Sequence, residues 1–162
     1  MAILTPNQIG NAVRDMLDKT KQIQHAGVDL TVNKIEKFVG EGFLAQDNKD
    51  RVLPDIEEMK IENGIYQLNP GGYIVRYNES IHVPLNAAAL TLPRSSLMRS
   101  GATIHSAVWD PGYEGKGMGL LTVFHKIKIQ KNSRIAQIIF FSLSNEVKTG
   151  YSGTYQGEGF DR

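Results

Sequence analysis

Hydrophobic and polar residues alternate over short runs through most of this chain, and glycine, proline or asparagine closes each run. That pattern predicts many short strands rather than helices. The N-terminus differs. Thr5-Pro6 places a hydroxyl N-cap before a proline at the first helical position. Ile9, Val13, Met16 and Leu17 follow at helical spacing. They predict one amphipathic helix over residues 6–17, inside an N-terminal helical segment 1–20. Lys19 and Lys21 stand beyond its end, where positive charge suits the helix dipole.

Further on, strands are predicted at 28–32, 73–77, 80–84, 120–124 and 127–129 by alternation and β-branched or aromatic content, and a strand or hairpin arm at 102–108. Residues 40–54 carry turn residues and little periodicity, which predicts a loop or hairpin region. Asn69-Pro70-Gly71-Gly72 is a turn signal. The 87–92 run fits helix or strand by propensity; Pro93 disfavours helix just before it, so strand is expected at its end. Residues 135–141 are almost all apolar, which predicts a strand buried on both faces. Many short strands with frequent turns indicate a mainly β fold, a barrel or jelly roll. The closing stretch 150–160 holds four glycines and three aromatics. A core has little use for that mixture, whereas a flap closing on a ligand does.

Composition narrows the picture. A length of 162 residues fits a single domain, 1–162, with 150–162 as a flexible flap. The net charge of +1 gives no bulk attraction to nucleic acid or membrane. Without cysteine, disulfides, thiolate metal sites and cysteine nucleophiles are excluded. No apolar run approaches the ~20 residues of a membrane span. The first residues lack the regions of a signal peptide, so a cytoplasmic location is expected.

Two stretches carry candidate chemistry. Arg94-Ser95-Ser96-Leu97-Met98-Arg99 offers two guanidinium forks and hydroxyl donors, the groups a polyphosphate takes up. The same residues also suit a solvated turn capping a helix. Asp110-Pro111-Gly112-Tyr113-Glu114-Gly115 offers an acid for water and an aromatic platform, or simply a strand-ending turn. Asp29, a lone acid in a strand, suits either a pair with an arginine such as Arg134 or a water-mediated cation contact. Glu36-Lys37 and Glu57-Glu58 read as solvated faces. The four histidines show no metal-ligand spacing, and Gly115-Lys116-Gly117 lacks the Gly-Lys-Ser/Thr of a phosphate-binding loop.

Together these residues resemble the dUTPase and dCTP deaminase superfamily. Five blocks occur in order: Gly27-Val28-Asp29-Leu30, Pro93-Arg94-Ser95-Ser96-Leu97, Trp109 through Gly115, Arg134 through Phe140, and Tyr151 through Glu158. The N-terminal segment and Arg99 look like the deaminase branch. The resemblance implies a distorted jelly-roll-like β barrel and a homotrimer with sites at subunit interfaces. It implies that Asp110 activates the water attacking the α-phosphate and that the backbone at Ala107 reads the pyrimidine. Tyr113 would pack under the deoxyribose. Arg94, Ser95, Ser96, Arg99 and Gln137 would hold phosphates, and Tyr151, Tyr155 and Gln156 would close over the nucleotide. Mg²⁺ would ride on the substrate phosphates, with at most a water-mediated contact to Asp29.

Deamination in this superfamily requires a glutamate on the strand after the Asp110 block. Counting on to that position gives Leu120, which cannot transfer a proton. The resemblance therefore points to a dUTPase acting on a deoxyuridine nucleotide, with no nucleic-acid or membrane partner. The alternatives are a dCTP deaminase or dual dCTP/dUTP enzyme and a non-catalytic nucleotide-binding trimer. The chain departs from its relatives in a shorter Arg94–Asp110 link, and in Thr154 and Glu158, where they carry lysine and glutamine. An acid near the phosphates would weaken binding, so Glu158→Gln is expected to lower the Michaelis constant.

Overall fold

A computed structural model describes residues 2–160; residues 1, 161 and 162, the outermost positions of the expected helical segment and flap, lie outside the described residues. The chain forms one large antiparallel sheet that curls into a distorted half-barrel, flanked by two small three-stranded sheets. Its strands run in the order Ile3–Leu4, Arg134–Ser142, Gly27–Val39, Gly71–Tyr77, Met118–Val123 and Ala102–His105, and Ala87–Pro93 also pairs with Arg134–Ser142. The minor sheets are Glu114–Gly115/Ser80–His82/Val13–Arg14 and Ile127–Gln130/Ile65–Leu68/Ile61–Glu62.

The fully buried core gathers Leu30, Val32, Ile35, Leu68, Val75, Tyr77, Ile81, Leu121, Ile138 and Phe140. Arg134–Ser142 is indeed buried on both faces: Ile135 and Ile139 in one alternation and Ala136, Ile138 and Phe140 in the other are all buried, while its edges pair with Gly27–Val39 and Ala87–Pro93. Gly27 is required where these strands approach: a Cβ there would stand 2.1 Å from the Ile138 carbonyl oxygen. Two neighbouring irregularities, at Val32/Lys34 and Arg134/Ala136, re-aim the side chains around them.

The expected helix over 6–17 does not form. Only Pro6–Ile9 is helical, stitched by Gln8 Oε1 accepting from the Thr5 N–H at 2.9 Å. Gly10, at φ 53°, ends it. Val13–Arg14 then pairs as strand with Ile81–Ser80, and a second helical turn, Lys19–Gln22, starts at Asp18. Ile9 and Val13 are both buried, but from two different elements. Tertiary pairing outweighs the helical spacing, and Gly10-Asn11 are poor helix formers.

The strand expected at 28–32 extends to Val39, where it pairs with Asp55–Glu58. Its outer half was hidden by charge. Glu36 is not solvated but buried, with Lys34 Nζ at 2.7 Å and Arg76 Nε at 2.9 Å.

Candidate active site

At one end of the large sheet three side chains converge on buried Asp29, which is 1% exposed. Its Oδ2 accepts from Arg94 Nε at 3.0 Å and from Arg134 Nη1 at 3.2 Å, and its Oδ1 accepts from Gln137 Nε2 at 3.4 Å. Register explains the meeting. Gln137 pairs with Asp29 on one side and with Leu92 on the other, and Arg94 follows two residues later. Burial pushes the Asp29 carboxyl above the usual aspartate range, against the pull of the two guanidiniums. The arginine pairing read from the sequence is present.

Beneath this cluster lies Glu79, fully buried and, among the described residues, without a cation. It accepts from the Thr31 N–H at 2.9 Å, from Thr31 Oγ1 at 2.6 Å and from Gln22 Nε2 at 2.7 Å. Gln22 Nε2 also donates to the Asp29 carbonyl at 2.9 Å. A network satisfied in this way fixes the strand that carries Asp29. Above it, Ser95, Ser96 and Arg99 lie exposed on the short helix Ser95–Arg99, which buried Leu97 anchors. Among the described residues their side chains have no partner, so they remain available to a ligand.

Asp110 sits elsewhere. Ala89 and Trp109 exchange both backbone hydrogen bonds, at 3.0 and 2.9 Å, in an antiparallel bridge. The chain after Trp109 therefore runs away from Arg94. At about 3.3 Å per residue, the separation along the strand is on the order of 20 Å. One chain does not bring Asp110 to its own arginine cluster. Asp110 is exposed and its carboxylate has no partner among the described residues. Ala107 is exposed as well.

Tyr113 is only 7% exposed. Its ring meets Trp109 and Tyr151 edge-on, at centroid distances of 5.4 and 5.7 Å. Burial and the Glu158 charge push its phenol up to about 12, so it stays neutral in ordinary buffers.

The C-terminal stretch lies against the Asp110–Lys116 turn of its own chain. The Tyr151 N–H donates to Pro111 O at 2.7 Å, Gly157 N–H to Glu114 O at 2.8 Å and Lys116 N–H to Glu158 O at 2.7 Å. Gln156 holds the same turn, donating to Gly112 O and accepting from the Glu114 N–H, both at 3.1 Å. Gly112, at φ +80°, is required here, since a Cβ would stand 2.6 Å from Gly150 Cα. Tyr155 is exposed, with the Arg51 guanidinium 6.0 Å over its ring. Glu158 Oε1 accepts from Arg76 Nη1 at 2.7 Å. The sequence reading missed Arg76, Glu36 and Glu79. The signal was present: a charged residue inside the apolar 73–77 run needs a buried partner.

Two further positions bear on the chemistry. Leu120 is 43% exposed and pairs with His105 and Ile74, so that strand presents no proton-transfer group at this place. Glu114 lies in the short strand Glu114–Gly115 opposite His82, with its Oε1 3.1 Å from His82 Nδ1. Among the described residues no three His, Asp or Glu side chains gather as a metal site.

A profile of dCTP deaminase-like proteins matches residues 3–143. The chain belongs to that family. Among relatives in the family, the deoxyuridine 5'-triphosphate nucleotidohydrolase of Methanocaldococcus jannaschii is 47% identical over 139 residues, covering 85% of this chain and 88% of that one. A probable deoxyuridine 5'-triphosphate nucleotidohydrolase of Methanosarcina mazei is 39% identical over 168 residues, covering 98% of each. The fold is shared with 2'-deoxycytidine 5'-triphosphate deaminase from Agrobacterium tumefaciens, at TM-score 0.62 and 22% identity over 85% of this chain; the chain spans about half of that protein's length, 47%. It is shared also with the native EIAV dUTPase, at TM-score 0.56 and 18% identity over 88% of this chain and 97% of that one.

Proposed function

We propose that this member of the dCTP deaminase-like family hydrolyses dUTP to dUMP and pyrophosphate. The observation that carries the choice of bond is Leu120. An aliphatic side chain there leaves no group to move protons at the pyrimidine ring, while Asp110 is exposed and unengaged. The names of the relatives support the same reaction.

Asp110 takes a proton from a water molecule as its oxygen bonds the α-phosphorus, and the bond from the α-phosphorus to the bridging oxygen breaks with pyrophosphate leaving. Arg94, Ser95, Ser96, Arg99 and Gln137 hold the phosphates in line. The Ala107 peptide reads the pyrimidine. Tyr113 packs under the deoxyribose, and Tyr151, Tyr155 and Gln156 close over the nucleotide. For Tyr113 to receive a sugar, the Tyr151 ring must first move off it.

The separation of Asp110 from Arg94 within one chain supports a homotrimer in which neighbouring chains complete each site. Leu92, Met98, Val108, Leu120 and Phe124 add to that support, as large apolar side chains that one chain leaves in water. Mg²⁺ would be held mainly by the substrate phosphates, where it would supply charge neutralisation. Asp29 does not suit direct ligation, because both its oxygens already accept from Arg94, Arg134 and Gln137. Among the described residues no helix is long and apolar enough to cross a membrane. The proposed enzyme is cytoplasmic, and the net charge of +1 gives no bulk attraction to nucleic acid or membrane.

The test is pyrophosphate and ammonia release from dUTP, dCTP, dTTP and UTP with Mg²⁺. Pyrophosphate from dUTP alone is the expected result, and Asp110→Asn should keep dUTP binding while losing about 10²–10⁴-fold in turnover. Ammonia from dCTP, or undiminished turnover by the variant, would refute the proposal.

A further inference from the structure

The 106–109 segment runs antiparallel to the Ala87–Pro93 strand, and its ladder is interrupted at one place. The double hydrogen bond between Ala89 and Trp109 sets the register. The next such pair should be Thr91 with Ala107, two residues along each strand. It is absent. The Thr91 N–H donates instead to Ser106 Oγ at 3.0 Å, and Ser106 Oγ lies 3.5 Å from the Thr91 carbonyl. The serine hydroxyl occupies the place of the Ala107 peptide. Thr91 is also held from its side chain, since Trp109 Nε1 donates to Thr91 Oγ1 at 3.0 Å. As a result, among the described residues, the Ala107 N–H and carbonyl have no partner. The residue is exposed, and Val108 beside it is 57% exposed.

We infer that Ser106 is a positioning residue for base selection, one that keeps the Ala107 peptide out of the ladder and fixed where it discriminates uracil from cytosine. The inference rests on the dUTP-hydrolysing reading above. A peptide presents one donor and one acceptor. Uracil offers the N3–H donor beside the O4 acceptor, whereas cytosine offers an N3 acceptor beside an amino donor. A peptide oriented for the first pattern opposes donor to donor and acceptor to acceptor in the second. Such rejection is strong only if the peptide cannot turn or withdraw. The Ser106–Thr91 clamp supplies that rigidity.

Ser106→Ala tests this directly. Without the hydroxyl, Ala107 can re-pair with Thr91 and withdraw its peptide. Binding of a non-hydrolysable dUTP analogue, measured by calorimetry, should weaken about 10- to 100-fold, the cost of one or two hydrogen bonds. In turnover the loss should fall on KM rather than kcat. The preference for the dUTP analogue over dCTP should shrink by a similar factor, and Ser106→Thr should restore both. The thermal midpoint should hold or rise, because the ladder gains hydrogen bonds. A purely stabilising serine gives the opposite result, a lower midpoint with unchanged affinity and preference, and that result overturns the inference. So does a wild-type protein that shows no preference for the dUTP analogue. Wild type that prefers the analogue but releases no pyrophosphate from dUTP sinks the hydrolysis reading alone, and the binding data still decide the role of Ser106.

Discussion

Gly117→Ala probes how Asp110 is held in place. Gly117 lies against the Trp109 ring, and a Cβ there would stand 2.4 and 2.5 Å from two ring carbons and 3.3 Å from Tyr113 Oη. No backbone strain is involved, because Gly117 is not among the positive-φ glycines. The ring has nowhere to retreat. Its indole N–H is bonded to Thr91 at 3.0 Å, its backbone is paired with Ala89, and Tyr113 packs on it edge-on. Overpacking of this kind costs about 1–3 kcal/mol, and straining the indole hydrogen bond adds about 1 kcal/mol. A total of about 2–4 kcal/mol corresponds to a fall in the thermal midpoint of roughly 4–16 °C for a chain of this size. Trp109 is the only tryptophan, so its fluorescence reports both the midpoint and the local displacement. Turnover of dUTP should fall as well, since Asp110 is the next residue. Gly72→Ala is the control. Nothing lies within 4 Å of its added Cβ, and its stability should stay within about 0.5 kcal/mol of wild type. A Gly117→Ala protein with native emission and a native midpoint would refute this account of the packing.

Acid stability should trace partly to Glu36. Burial pushes its carboxyl up, but Lys34 and Arg76 outweigh burial and hold it below the usual glutamate value of 4.5. A depressed carboxyl stabilises the fold above its unfolded value, and that stabilisation is lost as pH falls through the depressed one. The difference in urea midpoint between wild type and Glu36→Gln should therefore narrow from about pH 6 to about pH 3; a gap independent of pH would contradict the ion-pair origin. Glu158→Gln should release the C-terminal stretch from Arg76. The two side chains are 20% and 21% exposed, so the pair contributes on the order of 1 kcal/mol, and hydrogen exchange at the Gly157 and Lys116 amides should quicken about five-fold. Unchanged exchange would mean that the backbone bonds alone hold the segment. Because Arg76 already neutralises Glu158 in this arrangement, a lower Michaelis constant for the variant would require the acid to turn toward the phosphates on closure.

Local signals determined much of the strand framework. Alternation and the apolar 135–141 run were enough to place Arg134–Ser142 and most of its neighbours, whereas Pro93 pointed to strand only at the end of the 87–92 run, where the strand in fact spans Ala87–Pro93. They failed where tertiary pairing overrode spacing, as at Ile9 and Val13, and where charged residues masked a strand, as at Glu36 and Lys37. A charge reads as solvent-facing until its partner is known, and Glu36 meets Arg76 across 40 residues of sequence.

The residues able to grip phosphate, carry an acid and present an aromatic ring were already named by the sequence, because their chemistry is intrinsic to each side chain. Where they stand relative to one another was decided by register alone. Pairing of Leu92, Gln137 and Asp29 across three strands assembles the arginine cluster, and the Ala89–Trp109 bridge carries Asp110 to the far end of the same strand. Ser106 shows the same division: any serine has a hydroxyl, but only the ladder beside Thr91 makes that hydroxyl set a neighbouring peptide free.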